Sequence, residues 1–76
     1  MISGEEIYEL IMAKIRLLYR EYRRATTIYI SRDNWRILAD WCEDRCTINI
    51  HSSEETKSFN GLNVILTDIE HHLDVV

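Results

Sequence analysis

Apolar residues recur every three or four positions over the first third of the chain, which is the spacing of one face of an α-helix. Ser3 precedes this stretch and Glu6 follows three residues later, an arrangement typical of a helix-capping box. We therefore expect a helix over residues 3–24, about 33 Å long at 1.5 Å per residue. Its predicted apolar stripe consists of Ile7, Leu10, Ile11, Ile15, Leu18 and Tyr22.

The pattern then changes to short β-branched and aromatic runs separated by polar residues. Residues 26–31 are Thr-Thr-Ile-Tyr-Ile-Ser, a β-branched and aromatic run that is typical of a strand. Ser31 can cap a second helix, over residues 32–44. The remaining chain predicts a strand over 46–50, a loop over 51–61, a strand over 62–67, and a tail or edge strand over 71–76.

These elements predict one α+β domain, since 76 residues are too few for two cores. A long N-terminal helix is followed by β-α-β-β, with a further strand if residues 71–76 pair. Both helices are expected on one face of a small mixed or antiparallel sheet, in which strands 46–50 and 62–67 pair antiparallel. In an alternative register, Asn60-Gly61 forms a type I′ turn between Thr56–Phe59 and Leu62–Ile65.

Charge is distributed unevenly between the two halves of the chain. Residues 1–36 carry a net charge of +2 and residues 37–76 carry −6, which together give the net charge of −4. Such asymmetry can steer association with a partner, including head-to-tail self-association. The same distribution also fits two differently solvated faces of a protein that binds nothing.

Residues able to bind metal or act as acids, bases and nucleophiles are few. Cys42 and Cys46 have C-x3-C spacing, whereas structural zinc sites usually combine two tight pairs. His71 and His72 are adjacent, so their side chains point in different directions. No nucleophile elbow, phosphate-binding glycine loop or zinc-protease motif occurs. We therefore expect a non-enzymatic protein with no cofactor and no metal, in which the two thiols stay reduced.

Arginine and tyrosine side chains alternate in the second half of the first helix, and both residue types are favoured at protein interfaces. Trp35 and Trp41 lie six positions apart, so both cannot occupy the centre of one helix face, and we expect Trp41 to be the exposed one. Glutamates in the polar stretch before residue 57 could form an acidic contact. The candidate interface residues are Arg16, Tyr19, Arg20, Arg23, Trp41, Glu54 and Glu55.

The sequence contains no run of about 18 apolar residues that would predict a membrane-spanning helix. Its first residues are acidic, whereas the start of a secretory signal peptide is basic. We therefore expect the protein to lie in the cytoplasm of the producing or host cell, with no membrane contact.

Two stretches resemble a run found in the major coat proteins of tailed phages. These are Thr27–Ser31 with the following Trp35 and Leu38, and Phe59–Thr67. In the coat proteins, a strand leads into a short capped helix, and a later Gly-x-x-Val strand completes the sheet of the peripheral domain. The resemblance covers residues 26–76, and it implies that Ile7–Tyr22 packs on the sheet as a spine helix. No functional residue of the coat proteins maps onto this chain.

The leading hypothesis is a small phage- or virus-encoded accessory protein that acts through protein–protein contacts, including self-association, in particle assembly. The resemblance then adds the virion as a second location. A rival hypothesis is an inhibitor of a host defence protein that mimics the charge of nucleic acid. Its acidic residues would be Asp40, Glu43, Asp44, Glu54, Glu55, Glu70 and Asp74. A second rival is a nucleic-acid-binding module that uses the basic half of the first helix.

Overall fold

The computed structural model describes residues 2–45, 49–53 and 55–76 and confirms the predicted α+β class. Within these residues a long N-terminal helix precedes a mixed sheet and a second helix. The elements are α1 (Gly4–Arg20), β1 (Thr27–Ser31), α2 (Arg32–Glu43), β2 (Ile50–Ser52), β3 (Lys57–Phe59), β4 (Leu62–Thr67) and β5 (Leu73–Val75).

The sheet has the strand order β2-β3-β4-β1-β5 in the part of the chain that the structure describes. β1 lies between β4, to which it runs parallel, and β5, to which it runs antiparallel. The predicted edge strand near the C-terminus is therefore present, and main-chain hydrogen bonds between Thr27 and Val76 extend its pairing with β1. This arrangement makes the sheet mixed.

The hairpin between β3 and β4 follows the alternative register. Asn60 and Gly61 have φ of 49° and 82°, the left-handed values that a two-residue type I′ turn requires, and Phe59 pairs with Leu62 across it. The predicted loop over 51–61 was therefore wrong, because it contains β3 and most of β2.

The predicted strand over 46–50 is only partly described, because residues 46–48 lie outside the described residues. β2 begins at Ile50 and pairs with β3, not with β4 as predicted. The extra hairpin strand β3 separates the two strands that we expected to be neighbours.

Both helices cover the same face of the sheet. Ile28 of β1 is paired with Val64 and Val75 on its two sides, and all three belong to the hydrophobic core. Side chains alternate between faces along a strand, so Tyr29 and its neighbour Ile65 project from the opposite face. The helices contribute to the same core the residues Ile7, Ile11, Leu18, Trp35, Leu38 and Cys42.

Helix α1 begins as predicted and ends earlier than predicted. The Ser3 hydroxyl accepts a hydrogen bond from the Glu6 backbone N–H at 3.2 Å, which caps the helix. The helix ends at Arg20 rather than at residue 24, so its length is about 26 Å. Leu10 and Tyr22, both assigned to the buried stripe, are instead exposed by 47% and 100%.

The two helices approach each other closely at Gly4. A Cβ atom at this position would overlap Cβ and Cγ of Trp41 on α2. The centroid of the Trp41 ring lies 5.3 Å from that of the Tyr8 ring. The guanidinium carbon of Arg45, just after the end of α2, lies 3.9 Å from the centroid of the Trp41 ring. Trp41 is thus partly buried rather than exposed, because α1 and Arg45 both cover it.

We expect Gly4→Ala to lower the free energy of unfolding by about 1–3 kcal/mol, since the added methyl group forces the helices apart. Urea unfolding followed by circular dichroism measures this change. Glu5→Ala, on the exposed side of the same helical turn, should change stability by less than about 0.5 kcal/mol. A Gly4→Ala protein as stable as the wild type would contradict the close approach.

Candidate functional site

Groups capable of metal binding or acid–base chemistry do not converge in the described part of the chain. No cluster of three or more His, Cys, Asp and Glu side chains there could hold a metal ion. His71 Nε2 lies 3.4 Å from Glu70 Oε1, and both side chains are largely exposed to solvent. No helix formed by the described residues is long and apolar enough to cross a membrane.

The Cys42 thiol is buried in the core, on the side of α2 that faces the sheet and α1. Burial raises the pKa of this thiol, and the positive charge of Arg45 lowers it by a smaller amount. A thiol with a raised pKa stays protonated at neutral pH and is a poor nucleophile. Cys42 therefore acts as a core residue.

The predicted interface residues that the structure describes lie in three separate regions. Arg16, Tyr19 and Arg20 lie exposed on the C-terminal half of α1. Trp41 packs on the opposite end of this helix, against Gly4, so it does not join the arginines. Glu55 is exposed on the β2–β3 connection, and Glu54 lies outside the described residues.

Arg23 follows the helix rather than lying on it, because the chain reverses at Tyr22. The N–H of Arg23 donates to the Leu18 carbonyl at 2.9 Å, and the N–H of Tyr22 donates to the Tyr19 carbonyl at 3.0 Å. This pair of bonds is a Schellman motif, whose reversing residue is usually glycine. Here that residue is Tyr22, with φ of 58°.

A groove of about 420 Å³ opens at this reversal. It is lined by two tyrosines and two arginines, and we call these four residues the tyrosine–arginine surface: Tyr19, Tyr22, Arg23 and Arg24. Three of them also line a second groove of about 250 Å³ that continues towards Asn60 and Leu62. The two grooves are therefore adjacent, and we refer to them together as the depression beside the β3–β4 turn.

Positive charge dominates this depression. The one ion pair that Arg23 forms with a described residue joins it to Glu21 at 3.9 Å, and both side chains are more than half exposed. An exposed pair of this kind contributes little and is easily exchanged for another partner. The guanidinium groups of Arg23 and Arg24 are thus available to an anionic ligand.

Tyr19 and Arg23 were predicted as interface residues, whereas Tyr22 and Arg24, although part of the basic half of the first helix, were not. Tyr22 was placed on the buried stripe because the helical spacing of apolar residues continues through it. A usable signal was the position of Thr26, since the predicted strand began there and left few residues for a turn. The missing information was the glycine-free reversal, which has no strong sequence signature.

The chain matches no known protein family, no curated protein and no solved structure. The resemblance to phage coat proteins therefore stays a prediction.

We expect Tyr22→Gly to raise the free energy of unfolding by about 1 kcal/mol, because glycine adopts a left-handed conformation without strain. No packing is lost, since the Tyr22 side chain is 100% exposed. The measurement is the midpoint of urea unfolding, compared between proteins whose free energy of unfolding has the same dependence on urea concentration. Glu21→Gly is the matched control: its φ is −88°, so the same replacement one residue earlier should not stabilise. Equal changes at both positions would contradict the strain.

In a Cys46→Ser background, we expect the contribution of Cys42 to the free energy of unfolding to fall as the pH rises through the alkaline range. The raised pKa means that ionisation of the thiol favours the unfolded chain. Its contribution to stability is therefore complete below the ordinary pKa of 9.0 and declines as the pH rises above it. Comparing urea unfolding of this variant with that of Cys42→Ala/Cys46→Ser from pH 7 to 10.5 isolates the effect. Identical pH dependence in the two proteins would contradict it.

Proposed function

We propose that this protein is a non-enzymatic binding protein whose tyrosine–arginine surface contacts an acidic segment of a protein partner. The observation that carries the proposal is Tyr22, a fully exposed aromatic residue held in a left-handed conformation between the helix and two arginines. Strain of this kind persists where the surrounding structure enforces it, and it is concentrated at functional sites.

The side chains at this surface suit an interface. Tyrosine and arginine are enriched among residues that contribute most to binding, since each buries a large area and also forms hydrogen bonds. Tyr19 is 81% exposed, so both rings are available to a partner. Arginine binds carboxylates through two parallel hydrogen bonds, which favours Asp or Glu side chains opposite Arg23 and Arg24.

A second candidate function is binding of single-stranded nucleic acid. The exposed ring of Tyr22 could stack on a base while the arginines contact phosphates, as in sequence-tolerant single-strand binding. The overall charge of −4 weakens this candidate, because long-range repulsion opposes association with a polyanion. We rank it below the protein partner for that reason.

The setting of this contact is proposed from the sequence alone. The coat-protein resemblance supports an accessory role in phage or virus particle assembly, in the cytoplasm or on the virion. The rival hypothesis of an acidic nucleic-acid mimic rests on Glu54, which is not described, and on residues such as Glu55 and Asp74. Asp74 already lies 3.7 Å from Lys14, which reduces its value as a mimic of phosphate.

The test starts from photo-crosslinking. A benzophenone amino acid is placed at position 22 in cells that make the protein, and crosslinked molecules are identified by mass spectrometry with and without nuclease treatment. The affinity of the purified partner is then measured by calorimetry. We expect Arg23→Glu/Arg24→Glu to weaken binding at least about tenfold, because two attractive charges become repulsive.

Two controls make the result specific. Arg36→Glu is the matched surface control, since Arg36 is exposed on α2 away from the grooves and its reversal should leave the affinity unchanged. Reversing the crosslinked Asp or Glu of the partner should restore binding to the double variant. A crosslink lost on nuclease treatment would favour the nucleic-acid candidate. Unchanged affinity of the double variant would refute both candidates.

A further inference from the structure

The side of α1 that faces away from the core carries an ordered row of exposed residues. Leu10 and Leu17 are 47% and 50% exposed, although leucine usually lies inside a protein. At 100° per residue, the whole row lies within about 60° of Ala13, opposite the buried Ile11. We call this row the α1 outer face: Glu6, Glu9, Leu10, Ala13, Arg16, Leu17 and Arg20, all of which are exposed.

Charge along the α1 outer face changes sign at Ala13. Glu6 and Glu9 precede it, and Arg16 and Arg20 follow it. The helix dipole favours acidic residues in the first turn and basic residues in the last, which accounts for Glu6 and Arg20. The dipole does not account for the exposed leucines, or for Arg16 more than a turn inside the helix.

The row is nearly symmetric about Ala13 in both position and type. Glu6 and Arg20 each lie seven residues from Ala13, on opposite sides. Leu10 lies three residues before it and Leu17 four residues after it. A two-fold axis through Ala13 would bring a second, antiparallel copy of the helix into complementary register: Glu6 opposite the partner's Arg20, Glu9 beside the partner's Arg16, and Leu10 beside the partner's Leu17.

From this self-complementarity we propose that two copies of the chain associate through the α1 outer face as an antiparallel, two-fold symmetric dimer. In a two-fold dimer, the same surface meets itself, so each pairing of Glu6 with the partner's Arg20 occurs twice. The second copy is the partner that fits because the acidic half, the leucines and the basic half each find their complement in it.

Electrostatics within a single copy support the same partner. None of Glu6, Glu9, Arg16 and Arg20 forms an ion pair with another described residue. Arg16 and Arg20 are four residues apart on one helix face, a spacing at which like charges repel. The antiparallel partner places carboxylates beside both arginines and removes this repulsion.

Shape along the acidic half also fits. A groove of about 700 Å³ follows this half of the helix, and its lining is Ser3, Glu5, Glu6, Glu9, Leu10, Ala13 and Arg16. In the dimer it receives the basic half of the other copy. One helix pair buries an area at or below the lower end of stable interfaces, about 1,200 Å² in total, so we expect a concentration-dependent dimer.

The dimer does not depend on the tyrosine–arginine surface, because the two share no residue. Their tests are therefore separable. Arg23→Glu/Arg24→Glu should leave the dimer intact, and a monomeric variant should retain the tyrosine–arginine groove.

The main test is a charge swap followed by sedimentation velocity from about 10 µM to 1 mM. Arg16→Glu/Arg20→Glu makes the α1 outer face wholly acidic, and Glu6→Arg/Glu9→Arg makes it wholly basic. We expect wild-type protein to dimerise, each variant alone to stay monomeric, and an equimolar mixture of the two to recover the dimer. Circular dichroism confirms that each variant is folded, and Arg36→Glu, a charge reversal off the face, should dimerise like the wild type.

A cysteine crosslink tests the antiparallel register. Ala13 lies on the two-fold axis, so Ala13→Cys in a Cys46→Ser background should form a disulfide-linked dimer on mild oxidation. Glu5→Cys is the control, because antiparallel pairing separates the two copies of this position by about 24 Å along the axis. A monomeric wild type at 1 mM, dimers in both charge variants alone, or preferential crosslinking through Glu5→Cys would each overturn the proposal.

Discussion

Ile28 and Ile30 of β1 are buried beneath the two helices, at the centre of the hydrophobic core. β1 pairs on both sides, with β4 and β5, and it leads directly into α2 at Ser31. Ile28 is paired with Val64 and Val75, and Ile30 with Leu66 and Leu73, so the inner face of β4, β1 and β5 is apolar. Both helices must then lie on that face.

Among the residues that the structure describes, no further layer covers the outside of α1. Small domains bury a smaller fraction of their surface than large ones, and the described fold is a small domain. The helix therefore has one side in the core and one side in solvent, and the residues on the solvent side are free to be used in binding. The reversal after Arg20 also leaves Tyr22 exposed, because the chain must turn back to reach β1 within six residues.

Local signals predicted much of the fold. Ser3 and Ser31 were recognised as helix caps, and each accepts the backbone hydrogen bond expected of a cap. The bounds of β4 and of α2 were predicted to within one residue. Prediction was poorer for β3, whose polar residues resemble a loop until its pairing with β4 is known. The preferred register missed it, although the alternative built on Asn60-Gly61 was correct.

The candidate sites were predicted less completely than the fold. Arg16, Tyr19, Arg20 and Arg23 were identified from residue type and spacing, and the structure places all four on exposed surface. Trp41 was expected there too, but it is partly covered by Arg45 and by the N-terminal end of α1 at Gly4, which is far from Trp41 in the sequence.

The class of fold and the starts of both helices follow from local patterns, because each depends on residues within a few positions of one another, and the uneven charge follows from composition. Long-range packing sets the strand order, the end of α1 at Arg20, and which apolar residues of that helix stay exposed. These depend on contacts between distant segments. Apolar residues with a period of 3.6 predict a helix, but they do not show how wide a strip of its surface the core will cover. Leu10 and Leu17 have the side chains of core residues, but they lie outside that strip.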